Sequence, residues 1–368
     1  LSMSKAAELA KMGEVLTNNQ VGGRRNLMIN GGMQVAQRGT SFTSIGGTAG
    51  VYSIDRFRYG FTMNSGRLTI TQSTDSPNGF ANSFKVDITT AESSLNAASG
   101  AAISQFFEGQ DVQKFKKGTS DAEQYTLSFH VKSNVTGTYI VELFDQDNTR
   151  QVSKSYTIDS ANTWEKKTLI FPADTTGAFD NDNALSFIAQ WFLASGTNRT
   201  SGTLNTSWAS STDANRAVGQ TNLFSSTDNE WYITGVQLEV GSVATPFEHR
   251  SFGEELQLCQ RYFCKTFQYA QAPAQNPTNK LNAISGPAAS NSAYDNILQW
   301  WMTVKLRAAP TVTTFNPYAS NANFSSSGSN GPTAQLYSSG ENNVSIRDDS
   351  GGYQGVNLQI HATADAEL

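Results

Sequence analysis

WYITGVQLEVGSVATPFEHRSFGEELQLCQRYFCKTF, residues Trp231–Phe267, is the stretch from which the fold is read. Val236, Leu238 and Val240 alternate with Gln237 and Glu239, the period-two pattern of a strand with one buried face. Upstream, Trp231 and Ile233 fall on the opposite parity, so the buried face changes at Gly235. A glycine at such a change predicts a β-bulge, because one extra residue shifts the alternation by one. Pro246 then ends the ladder, having no N–H to donate. Ser251 and Glu254 have capping-box spacing, in which the hydroxyl accepts one of the free N–H groups of a starting helix. Leu256, Cys259, Phe263 and Phe267 follow at helical spacing and predict one apolar stripe. The stretch reads as the last strand of a β-domain and a helix that hands the chain on.

Working outward, alternating apolar residues predict strands near 27–37, 67–73, 82–89, 100–107, 125–132, 139–144, 152–158, 164–171, 185–193 and 230–240. Turn-forming runs such as Pro77-Asn78-Gly79 and Asp180–Asn183 separate them. Short strands without intervening helices predict a β-sandwich with jelly-roll or Greek-key wiring, its first and last strands meeting in one sheet. Beyond the helix, residues 268–292 read as loop. In Asn296–Arg307, Leu298, Trp300, Met302, Val304 and Leu306 alternate with polar positions, and Val356, Leu358 and Ile360 repeat the pattern. A second, smaller β-domain follows from these, with Asn321–Pro332 as its exposed tip. Residues 4–17 predict a short N-terminal helix with Leu9, Met12 and Leu16 on a partial heptad. It is too short to stand alone, and reads either as a docking segment or as a frayed end. The resulting division is 1–25 attachment helix and linker, 26–250 jelly roll, 251–292 linking helix and loop, and 293–368 C-terminal β-domain.

NLMINGGMQVAQRGTSF at Asn26–Phe42, Asp55-Arg56-Phe57, and ITGVQLEVGSVATPFEHRSFGEELQLCQRYF at Ile233–Phe263 resemble a β-domain of tail-fibre and other virion-surface proteins of tailed bacteriophages. Between them, Tyr125–Asp145, Asn162–Phe171 and the Trp191 strand resemble jelly-roll carbohydrate-binding modules, and Lys305–Pro317 resembles distal units of phage fibres. The resemblance implies a non-enzymatic protein of the tail or particle surface, made in the host cytoplasm and recognising host surface glycan. It also implies a homo-oligomer, by family habit a trimer, joined to other virion proteins through its N-terminal segment. The alternative is a structural virion adaptor that binds no sugar. A third reading is an accessory glycan-binding module of a polysaccharide-degrading system.

Composition narrows the classes further. A net charge of −5, from 26 basic and 31 acidic residues, argues against nucleic acid, which demands clustered Lys and Arg. No apolar run approaches the roughly 18 residues that span a bilayer, so membrane insertion is not expected. Nor does a charged-then-apolar signal peptide open the sequence. Cys259 and Cys264, five positions apart on a predicted helix, point in different directions and read as two buried free thiols. That fits assembly in a reducing compartment.

Catalytic templates are not matched. The three histidines, His130, His249 and His361, lie in different elements, with His130 read as a solvated strand residue. Glu108, Asp111, Glu142, Asp145 and Glu239 are carboxylates with no spacing that nominates a pair. Asp145–Asn148 and Asp180–Asn183 offer oxygens at alternate positions, as calcium loops do, but plain turn chemistry is the preferred reading and no cofactor is expected.

Sugar recognition uses flat aromatic faces flanked by polar groups. Parity places Trp191, Trp231 and Trp300 in cores and Trp164 in a structural position. Trp208, in a long Ser/Thr/Asn/Gly loop with Arg199 and Arg216, reads as a binding platform or as an anchor of that loop. Tyr59, with Phe61, is a further ligand-binding candidate against a core alternative. Trp301, on the polar face of its strand, reads as an oligomer interface, together with Leu9, Met12 and Leu16.

Overall fold

The computed structural model describes residues 5–6 and 24–368, so Leu9, Met12 and Leu16 lie outside the described residues. In chain order the first strands are β1 (Ser41–Ile45), β2 (Val51–Tyr52), β3 (Arg58–Gly60), β4 (Arg67–Ser73), β5 (Ser83–Thr90) and β6 (Gly100–Glu108). They continue as β7 (Tyr125–Ser133), β8 (Gly137–Asp145), β9 (Arg150–Ile158), β10 (Glu165–Phe171), β11 (Leu185–Ser195), β12 (Ala209–Ser210) and β13 (Glu230–Val240). These pair antiparallel into two sheets, β1-β4-β5-β13-β7-β10 and β12-β9-β8-β11-β6-β3-β2. Within them β5-β13-β7-β10 opposes β6-β11-β8-β9, and among these eight strands the chain changes sheet at each step except the β8–β9 hairpin. The fold is the expected all-β jelly roll.

Leu127, Phe129 and Val131 of β7 and Ala189, Trp191 and Leu193 of β11 fill one core from opposite sheets. On β13, Trp231 and Ile233 face that core, and then Val236 and Leu238 do, the register shifting between Thr234 and Gln237. Gly235 sits at the shift with φ +61, and a Cβ there would lie 2.6 Å from Cζ of Phe80. Backbone angle and close approach thus both require glycine. His130 is not solvated as expected. It packs beside the Phe80 ring, and its Nδ1 is buried without a partner, so burial pushes its pKa down.

Residues 27–37 do not form the expected first strand. The Leu27 N–H donates to Leu238 O (2.9 Å) and Val236 donates back to Gly31 O (3.0 Å), just after Gly235. Asn30 and Met33 then turn left-handed, and the Asn30 amide donates to Val35 O and Asp55 O in place of a ladder. Met28, Met33 and Val35 are fully buried, so their apolar pattern reports burial in a loop rather than pleating.

Two helices follow, α1 (Thr197–Thr200) and α2 (Phe252–Gln260). Ser251 Oγ accepts from the Glu254 N–H at 3.3 Å, as the capping box predicts. The helix is shorter than its stripe. It ends at Gln260, and Phe263 lies in β14 (Phe263–Lys265), paired with β22 (Asn357–Asp365). Cys259 and Cys264 are free and buried.

The remaining strands are β15 (Ile284–Pro287), β16 (Ile297–Trp301), β17 (Thr311–Phe315), β18 (Ser325–Ser326), β19 (Ser329–Asn330), β20 (Ala334–Ser339) and β21 (Asn343–Asp348). β22 pairs with β14, β15, β17 and β18, while β16-β21-β20 form a separate sheet. Leu298, Phe324, Val344, Ile346, Leu358 and Ile360 make a second core. The strand expected over 296–307 stops at Trp301, although Leu306 stays fully buried. Asn321–Pro332 is no free tip, because buried Phe324 pins it and β18–β19 close it as a small hairpin. A polar seam ties this region to the sandwich. Arg56 and Arg38 pair with Glu367, and Arg261 pairs with Glu108 at 2.6 Å.

Candidate functional site

The outer face of the β9-β8-β11-β6-β3 sheet carries side chains in rows set by strand register. Phe144, Ile188 and Phe106 are cross-strand neighbours on β8, β11 and β6. One step along the strands, Glu142, Gln190, Ser104 and Arg58 form a second row. A third holds Ile140, Phe192 and Ala102, over which the loop after β11 folds Leu204 and Ala217. On the other flank, Glu108 is held by Arg261 (2.8 Å) and by the Tyr262 hydroxyl (2.6 Å). The apolar row therefore lines a strip of sheet face, referred to as the groove, between the loop and the C-terminal region. Phe144 and Ile188 are half-buried, and Phe106 is 9% exposed.

Polar groups beside this floor are fixed by one another. Arg216 donates from Nε to Glu142 Oε1 (2.9 Å) and from Nη2 to Oε2 (2.7 Å). Gln190 donates to the same carboxylate, and Ser104 Oγ donates to Gln190 Oε1 (3.4 Å). Burial lowers the Arg216 pKa, but Glu142 outweighs it and the guanidinium stays charged. Its centre lies 5.2 Å from the Phe144 ring, and the Arg58 centre lies 4.8 Å from the Phe106 ring. Two aromatic rings, each with a guanidinium over it, thus border an aliphatic side chain; in the adjoining row Glu142, Gln190 and Ser104 are buried and Arg58 is the half-buried member. Such a surface suits a flat molecule with one apolar face and many hydroxyls.

The sequence candidates divide. Arg216 belongs to the groove. Arg199 stands behind it, its guanidinium 4.2 Å over Phe61, whose ring stacks on Phe192 at 5.5 Å. Burial and the neighbouring Arg216 push its pKa down. Tyr59 is no ligand contact, because it is fully buried on the inner face, opposite Ile103. Trp208 is not a free platform either. Its indole N–H donates to Pro172 O (2.9 Å), Tyr125 meets its ring at 6.2 Å, and Lys117 lies 5.1 Å over it. It anchors the loop to the sandwich core. Trp208→Ala is expected to cost about 2–3 kcal/mol in a denaturant titration, with glycan binding unchanged. Trp301 is 67% exposed on β16, remote in sequence and sheet from the groove.

Sequence reasoning missed Phe106, Phe144 and Ile188. Each sits beside an inward-facing apolar residue, Phe107, Leu143 and Phe187, so each appeared to extend a core run. The signal was available as apolar residues of the non-core parity on three neighbouring strands.

Of the carboxylates considered for catalysis or calcium, Glu108, Glu142, Asp145 and Glu239 are each engaged by other side chains. Asp145 pairs with Lys117, which also meets Asp174 (3.0 Å), Thr176 O (2.9 Å) and Gly177 O (2.7 Å). An ammonium group thus holds the oxygens that a hard cation would use there. Among the described residues no cluster of three or more acids, histidines or cysteines is arranged for a metal. Glu239 accepts from Thr245 (2.7 Å) and Gln237 (2.9 Å).

No protein-family model matches the chain, and no curated protein matches it. Among solved structures it is similar to the enzymatically active domain of tailspike protein 4 of bacteriophage CBA120 (16% identity, TM-score 0.30). That match covers 59% of this chain, which spans 21% of the tailspike chain. It is also similar to a family 11 carbohydrate-binding module from Clostridium thermocellum in complex with a mixed-linked tetrasaccharide (9% identity, TM-score 0.29), covering 56% of this chain and 99% of the module. A third structure, TmCBM61 in complex with β-1,4-galactotriose, gives 9% identity and a TM-score of 0.30, covering 59% and 99%.

Proposed function

We propose that this chain is a non-catalytic, glycan-binding protein of a tailed-phage virion, a tail fibre or particle-surface component. The observation that supports it is the Phe144–Ile188–Phe106 floor flanked by the Glu142–Gln190–Ser104–Arg58 row. Pyranose rings stack their C–H faces on such a floor, and the half-buried Arg58 guanidinium bonds their edges while the buried Glu142, Gln190 and Ser104 brace the row. The virion assignment rests on the resemblance of the Asn26–Phe42, Asp55–Phe57 and Ile233–Phe263 segments. In this reading residues 26–250 are the binding unit and 251–292 the link. Residues 293–368 are a C-terminal β-unit, and residues 1–25 attach to other virion proteins. Three copies join partly through the Trp301 face, so that weak single sites act together.

Phe144→Ala is the direct test. Glycan-array binding should fall about tenfold or more through loss of stacked area, with little change in melting temperature. Undiminished binding by that variant removes the groove as the site. A structural adaptor remains the second reading, favoured by the exposed Trp301, Tyr337 and Leu336 side chains of the β16-β21-β20 sheet, a surface suited to protein. If no array glycan binds the unmodified chain, that reading replaces the first.

A further inference from the structure

The arginines bordering the groove differ in what they hold. Arg216 is committed to Glu142 and Asp213, Arg56 to Glu367, and Arg261 to Glu108. Arg199 is spent on the carbonyls of Ala98 (3.1 Å) and Ser99 (3.4 Å). Arg58 is the exception. Among the described residues its guanidinium has no ion-pair or hydrogen-bond partner, and its contact is with the Phe106 ring at 4.8 Å. It is half-buried at the β3 end of the polar row, in line with Ser104 and Gln190. Its position is prepared by the backbone. Gly50, at φ +85, leaves room for the fork, since a Cβ there would approach Nη2 to 3.0 Å.

We propose that the groove takes an acidic saccharide and that Arg58 receives its carboxylate at the Phe106 end; this rests on the glycan reading of the groove. A planar guanidinium presents paired N–H donors that match a carboxylate, and partial burial strengthens the pairing. With Glu142 neutralised by Arg216, the sugar's own acid supplies the charge that Arg58 lacks. Neutral sugars still stack on Phe144 and Ile188 but leave the fork unanswered. Arg58 therefore sets specificity, while the floor sets general affinity.

The experiment uses the full chain and an array of uronate-containing oligosaccharides, each beside its carboxyl-reduced counterpart. The unmodified chain should bind the acidic member at least tenfold more tightly, with the preference shrinking at high salt. Arg58→Gln should erase that preference, weakening the acidic members at least tenfold and the reduced members by no more than the roughly two- to threefold loss of one neutral hydrogen bond, and Arg58→Lys should restore part of it. Equal binding of both members by the unmodified chain, or a preference that survives in Arg58→Gln, overturns the proposal. In either case the glycan reading stands if Phe144→Ala still abolishes binding. Failure of Phe144→Ala to weaken any member, or binding of none, overturns both.

Discussion

Lys117→Ala is expected to remove about 3–5 kcal/mol of stability from the sandwich, because it strands the buried Asp145 carboxylate and leaves Asp174 with Arg150 alone as countercharge. The Lys117 and Asp145 side chains are fully buried, and Asp174 is 4% exposed. Arg150 reaches Asp174 from the other side at 2.8 Å. With the ammonium gone, Asp145 retains only the Asn148 amide and backbone N–H, neutral donors that cannot balance its charge. Lys117→Met, which keeps the bulk, should lose nearly as much, showing that charge rather than volume is at stake. Combining it with Asp145→Asn and Asp174→Asn should restore most of the loss. Urea titrations of the three variants check this, and a mild loss in Lys117→Met would refute it. The pH dependence has a definite sign. Burial pushes Asp174 up, yet its bonds from Arg150 and Lys117 outweigh that and hold its carboxyl below the usual range. Its contribution is therefore present above the unfolded value of about 3.9 and lost as pH falls through the lower folded value. Lys117→Ala should flatten that acid limb.

Arg56→Ala is the second large effect, again about 3–5 kcal/mol, and it acts at the seam. Arg56 is 1% exposed and pairs with Glu367, which is 4% exposed. It also donates to Phe106 O (2.6 Å) and lies 3.3 Å over the Tyr262 ring. Removing it leaves the Glu367 carboxylate buried beside Asp365 and Asp55, with Arg38 as its remaining countercharge. Burial already raises the Glu367 pKa, and without Arg56 it rises further. A group with a raised folded pKa contributes stability below its unfolded value and loses it as pH climbs through the folded one. The defect should therefore be greatest at neutral pH and shrink on acidification. Proteolysis at pH 7 should cut the 263–368 region first, with the jelly roll surviving. Cleavage kinetics like those of the unmodified chain would show that the seam does not depend on this pair.

Much of the jelly roll was legible locally. The parity of Trp191 and Trp231, the phase change at Gly235 and the Ser251 cap each encode their structure within a few residues. The groove was not, because it exists only through pairing. Phe106, Ile188 and Phe144 lie far apart in sequence, and register alone makes them one surface. The Asp55-Arg56-Phe57 motif was visible as a motif, yet its task of receiving Glu367 depends on a residue at the far end of the chain. Trp208 misled because its loop is long and polar, while Pro172 and Tyr125, which hold it, come from other segments. The apolar residues of 27–37 suggested pleating because burial and pleating leave the same mark when Asn30 supplies the missing bonds.

The groove floor draws one side chain from each of three adjacent strands. Its pitch is accordingly the interstrand spacing of about 4.8 Å, giving a span near 10 Å that the hydrogen-bond ladder maintains. Substituting Phe144 or Phe106 alters grip but leaves this gauge untouched. A variant screen at these positions can therefore retune how tightly a guest is held, while the length of repeat that fits is dictated by the main chain.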